Sequence, residues 1–135
     1  MFDRSHCLEL LTRWAQAAER FWYPIPGRDD LGCYGTGYNA WGVQTNQKYL
    51  SALAVLAAER NPPPGLDRQW ALDRALAALR FSLASHVTGP RTCTDGTRWG
   101  NTWISALGIE RMMHGVDAIE AHLTDADRND LRRVL

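Results

Sequence analysis

Two runs of small and apolar residues at helical spacing, TNQKYLSALAVLAAER (45–60) and TWISALGIERMMHGVDAIEAH (102–122), constrain the fold more than any other feature. Each is apolar on nearly every side or rich in small residues, the pattern of a helix buried among other helices. Each also follows a glycine-rich polar stretch that ends in Trp-Gly, at Trp41-Gly42 and again 58 positions later at Trp99-Gly100. A recurrence of this kind marks a repeating helical hairpin. Gly108 and Gly115 lie seven apart on one face of the second run. Glycine costs helix propensity there, so close approach of a neighbouring helix is the expected compensation.

Three further helices accompany these two. One spans about residues 3–22, with Leu8, Leu11, Ala15, Ala18 and Trp22 on one face, and Pro24 and Pro26 end it. Another begins near Asp67, places Trp70, Leu72, Leu76, Leu79 and Leu83 against the core, and leaves Arg68, Asp73, Arg74 and Arg80 mostly to solvent. It reads as an outer element. The last, LTDADRNDLRRVL, opens with Thr124 as N-cap and Asp127 three positions on, a capping-box variant. NPPPG (61–65) is a helix stop, too short for a polyproline ligand. The expected fold is therefore all-α, about five helices in one domain over residues 1–135, with no sheet of consequence because runs of alternating β-branched and aromatic residues are missing.

The connections are unequal. Roughly twenty residues precede the helix at Thr45 and roughly fifteen precede that at Thr102, while the other joints take a few residues each, and loops of such length in a compact domain are usually functional. Both long connections enter the apolar helices, so their contents are expected on one face.

Charge excludes several function classes. Lys plus Arg and Asp plus Glu number 15 each, which argues against a nucleic-acid stripe or a basic membrane-seeking face. Three cysteines, Cys7, Cys33 and Cys93, with no C-x-x-C pair, indicate neither a disulfide framework nor a zinc ribbon. MFDRSHCLELL carries charge where a signal peptide needs an apolar run, and the expected compartment is the cytoplasm. No cofactor or metal is called for: Glu110 and His114 share a helical face, but as a hydrogen-bonded buried pair without a third ligand.

The segments GTGYNAWGVQTNQKYLSALAVLA and DGTRWGNTWISALGIERMMHGVDAI resemble successive hairpins of the α/α-toroid domain in heparinase II/III-like and alginate-lyase-like polysaccharide-degrading proteins. The resemblance lies in architecture and in the Trp-Gly starts of the inner helices. It implies the N-terminal hairpins of an incomplete α/α toroid, with the chain as the front part of a longer one. The implied parent is a polysaccharide lyase or glycoside hydrolase, holding an oligosaccharide or polysaccharide at the N-terminal ends of the inner helices. Trp41, Asn39, Asn46, Trp99 and Trp103 would bind substrate there. Indoles stack on the C–H faces of sugar rings, amides bond hydroxyls, and a helix N-terminus suits a uronic carboxylate.

For lyase chemistry Asn101 or Asn46 is the expected neutraliser of the carboxylate and Tyr38 or Tyr34 the base. Hydrolysis would instead need paired carboxyl groups, with Asp95 the best placed and Asp29 or Asp30 next. Each has a competing structural explanation. Either tryptophan alone could seal a hairpin, Asp95-Gly96 is a common turn dipeptide, and Asn39, Asn46, Gln47 and Asn101 stand where capping amides stand. GxGxxG without a preceding strand signals no dinucleotide site. A rival from another class is a non-catalytic helical repeat module that binds a protein through its aromatic loop face, or self-associates through uncovered inner surface.

Overall fold

The computed structural model describes residues 3–37 and 45–135. Along the chain come helix α1 (Arg4–Ala18), a 3-10 turn (Glu19–Phe21), strands β1 (Trp22–Ile25) and β2 (Arg28–Tyr34), and helices α2 (Thr45–Ala58), α3 (Arg68–Ser85), α4 (Ser105–Ala118) and α5 (Asp125–Val134). A second 3-10 turn (Glu120–His122) precedes α5. No helix among the described residues is long and apolar enough to cross a membrane.

The expectation of an all-α toroid is overturned. Of the described residues 61% are helical, but 10% are strand and they form a two-stranded antiparallel sheet, so the fold is mixed α/β. The cause is local. Pro26-Gly27 joins the strands, with Gly27 at φ 73°, and a proline's preset φ followed by a glycine's positive φ is what a type II turn demands. The prolines expected only to stop a helix thus reverse the chain, and α1 ends at Ala18, four residues early. Pro24 is tolerated because both strands of a two-stranded sheet are edges.

Such a hairpin is marginal alone and needs a packing partner. β2 supplies it by burying Leu31, Cys33 and Tyr34 against α3. Trp22 lies across Gly32, where an added Cβ would come within 2.1 Å of the indole. The Arg74 guanidinium, from α3, lies over the Trp22 ring at 4.4 Å from its centroid and pairs with Glu19 at 3.0 Å. Glu19 also accepts the Tyr34 hydroxyl at 2.8 Å. One arginine therefore fixes both the hairpin and the end of α1.

The expected alternation of outer and inner helices is also not observed. α3 packs against α2, β2, α5 and α4 and buries Ala71, Ala75, Ala78, Leu79 and Leu83 completely, so the helix expected outside is central. Its alanines permit this, since they let neighbours approach from several sides. α2 is buried as expected and packs on both α3 and α4. α4 buries one face, through Gly108, Met112, Gly115 and Val116, and leaves Glu110, Arg111 and His114 exposed. Glu110 and His114 stand 3.9 Å apart in solvent rather than as a buried pair.

The close helix approach does occur at Gly115. A Cβ there would lie 2.6 Å from the Ser51 Cα, and Ser51 Oγ donates to the Arg111 carbonyl while accepting the Gly115 N–H at 3.1 Å. On α1, the exposed Trp14 stacks on Tyr49 at 4.5 Å, and Tyr49 stacks on Tyr34 at 4.4 Å, a ladder of parallel rings running into the core.

Candidate functional site

The C-terminal end of α3 gathers the starts of both apolar helices. Asn46, in the first turn of α2, donates from Nδ2 to the Ala78 carbonyl at 2.9 Å and to Ser82 Oγ at 2.8 Å. Trp99, shortly before α4, donates from Nε1 to the Ser82 carbonyl at 2.8 Å. The N-termini of α2 and α4 therefore open on the same end of the molecule. The connections leading to them touch as well: the Thr94 N–H donates to the Thr36 carbonyl at 3.0 Å. Gly37, at φ 96°, lets the first connection run against Phe81, whose ring a Cβ would meet at 2.2 Å.

Within this end, residues expected to act on ligand divide sharply. Asn46 is fully buried, and its Oδ1 also accepts the Tyr34 N–H at 2.9 Å, so its amide ties β2, α2 and α3 together instead of facing a sugar. Trp99 is 1% exposed and meets His86 edge-on at 4.8 Å. It is a core residue. The glycine after it has its own structural cause: Gly100 sits at φ 110°, with the His86 ring where a Cβ would be, 2.1 Å from Nε2. Burial and the charge of Arg133 push the His86 pKa down, favouring the neutral ring.

Asp95 is exposed, accepting the Thr97 N–H at 3.0 Å and the Thr97 hydroxyl at 2.7 Å. Those bonds hold its pKa below the usual carboxylate value, opposite to what a general acid requires. Asp30, the alternative, is held at about 2 by its hydrogen bonds from Arg28. Tyr34 is fully buried with its hydroxyl bonded to Glu19, and burial raises its pKa, so it is poorly suited to act as a base.

Trp103 and Asn101 differ from all of these. Trp103 is 76% exposed, the largest value among the exposed large hydrophobic residues that the structure describes, and Asn101, two positions before it, is exposed as well. The Thr102 and Gly100 N–H groups donate to Ser105 Oγ, at 3.3 and 3.1 Å, which pins this segment on the first turn of α4. Tyr38, Asn39 and Trp41 lie outside the described residues.

Gln47, next to Asn46, is the residue whose distinction the sequence concealed. It is fully buried, yet neither Nε2 nor Oε1 has a hydrogen-bond partner among the described residues. Propensity and spacing treat it as one more amide at a helix start.

A groove of about 480 Å³ lies elsewhere, between the hairpin, α3 and α5, lined by Arg28, Asp30, Arg80, Arg91, Asp127 and Arg133 among others. Most of its charges are already paired, Arg28 with Asp30, Arg80 with Asp127 and Arg133 with Asp130. Of these pairs, Arg80 with Asp127 locks α5 against α3. Comparison with protein-family models, with curated proteins and with solved structures gave no match.

Proposed function

We propose that this protein binds an oligosaccharide or polysaccharide at the end of the molecule where α2 and α4 begin. Trp103 is the stacking surface and Asn101 the hydroxyl partner. The single observation that carries this is the exposure of Trp103 on a segment pinned to the α4 N-terminus. A large indole in water forfeits its burial energy, and a sugar's C–H face restores it while leaving the ring hydroxyls for Asn101. The proposal is one of recognition. Asp95, Asp30 and Tyr34 are engaged in structural bonds, and a lyase or hydrolase step is not assigned to them.

The test is calorimetric titration of the native chain and Trp103→Ala with cellotetraose, xylotetraose and tetragalacturonate. Stacking predicts a loss of about 1–3 kcal/mol in binding on truncation. Equal binding by both, or none by the native chain, defeats the proposal. The rival, a protein partner on the same loop face, draws on Leu107, exposed one turn beyond Trp103. It requires Leu107→Ala and Trp103→Ala to weaken capture of a protein together, whereas a sugar stacked on the indole is indifferent to Leu107.

A further inference from the structure

Buried side-chain amides are almost always hydrogen-bonded, because a polar group removed from water without a partner keeps its whole desolvation penalty. Among the described residues Gln47 violates this twice, at Nε2 and at Oε1, while its neighbour Asn46 is satisfied at both ends under equal burial. The contrast calls for a partner.

Position suggests what kind. Gln47 lies one helical turn before Ser51, and residues four apart share a helix face. Ser51 bonds α4 at Arg111 and Gly115, so Gln47 is on the α4-facing side of α2, one turn nearer the end that carries Trp103 and Asn101. Gly108 is seven residues before Gly115 on α4, on the same face, and is also buried. An orphaned donor and an orphaned acceptor therefore sit together near the N-terminal turns of two adjacent helices.

We propose that Gln47 is a specificity-determining ligand residue: on entry of a sugar ring's edge between the first turns of α2 and α4, Nε2 donates to one hydroxyl oxygen and Oε1 accepts from the neighbouring hydroxyl. The assignment rests on the carbohydrate proposal above and narrows it to sugars presenting adjacent free hydroxyls. A single amide offers one donor side and one acceptor side, and adjacent hydroxyls answer both. A site that loses either hydroxyl is left with a buried unpaired atom, the situation that produces strong discrimination.

The experiment uses Gln47→Leu and Gln47→Met, which keep the volume and remove the orphaned atoms, in the same titrations with cellotetraose, xylotetraose and tetragalacturonate. Each variant is expected to stay folded with an unchanged or raised thermal midpoint and to bind tenfold or more weakly. With monodeoxy analogues of the bound tetrasaccharide, the native chain and Gln47→Leu should bind alike at the hydroxyl concerned, which separates direct contact from reshaping of the seam. Full binding by Gln47→Leu, with binding still lost in Trp103→Ala, overturns the Gln47 assignment and leaves the sugar proposal standing. If the native chain binds none of the three, both fall.

Discussion

Arg80 and Asp127 join α3 to α5 through two parallel hydrogen bonds, Nε to Oδ1 at 2.9 Å and Nη2 to Oδ2 at 3.1 Å. Asp127 is at the same time the N3 residue of the α5 capping box, its Oδ2 accepting the Thr124 N–H at 3.0 Å and the Thr124 hydroxyl at 2.9 Å. One carboxylate thus both starts a helix and docks it.

Burial alone would raise the Asp127 pKa, but the bonds from Arg80 and Thr124 outweigh it and the net direction is down. A depressed folded-state pKa gives stability that is fully present above the unfolded value, about 3.9, and is lost as pH falls through the folded value. Asp127→Asn should cost about 2–3 kcal/mol at pH 7, between the loss of a cap and the breaking of a buried ion pair. The gap between the variant and the native chain should narrow below pH 4. Urea denaturation at the two pH values measures both.

Gly115→Ala places a methyl 2.6 Å from the Ser51 Cα, and backbone cannot yield as a flexible side chain can. Improved helix propensity returns about 1 kcal/mol. Overpacking costs about 1–3 kcal/mol. The expected outcome is a lower unfolding midpoint together with loosening of α4 from α2, seen as faster amide exchange in both helices.

Trp99 and Trp103 should respond oppositely to truncation. Trp99→Ala removes a buried indole and its bond to Ser82, and about 3–5 kcal/mol of stability should go with it. Trp103→Ala should stay within about 0.5 kcal/mol of the native chain, as surface substitutions do. Equilibrium unfolding of the two variants under identical conditions decides the matter.

The three thiols divide in the same way. Cys7 is exposed, whereas Cys33 and Cys93 are buried. Burial pushes Cys33 up to about 12 and raises Cys93 as well, which suppresses the reactive thiolate. Ellman's reagent should label one thiol rapidly in the native chain and all three in denaturant; fast native labelling of a second thiol would contradict the buried placement.

Helices were legible where their signals are local. Thr124 and Asp127 form the anticipated capping box, Asp67 caps α3 by accepting the Gln69 and Trp70 N–H groups, and Gly115 marks the anticipated helix contact. The hairpin was not legible, because Pro24 and the charged Arg28, Asp29 and Asp30 erase the alternation that identifies strands. Only tertiary contacts reveal it: Arg74 on Trp22, Glu19 on Tyr34, and Asn46 on the β2 backbone.

The centrality of α3 was hidden for a related reason. Its arginines look solvated in sequence, yet Arg74 and Arg80 reach across to carboxylates on other elements. At the candidate site, Trp99 and Trp103 both precede the same helix, and nothing in their spacing tells which indole will find the Ser82 carbonyl. Asn46 and Gln47 are equally alike until partners are assigned.

The bond from Thr94 to Thr36 couples two segments that are far apart along the chain. Freedom at Thr36 is therefore tied to freedom at Thr94. Heat that frees one segment frees its companion, so the pair should soften at a single temperature rather than in sequence.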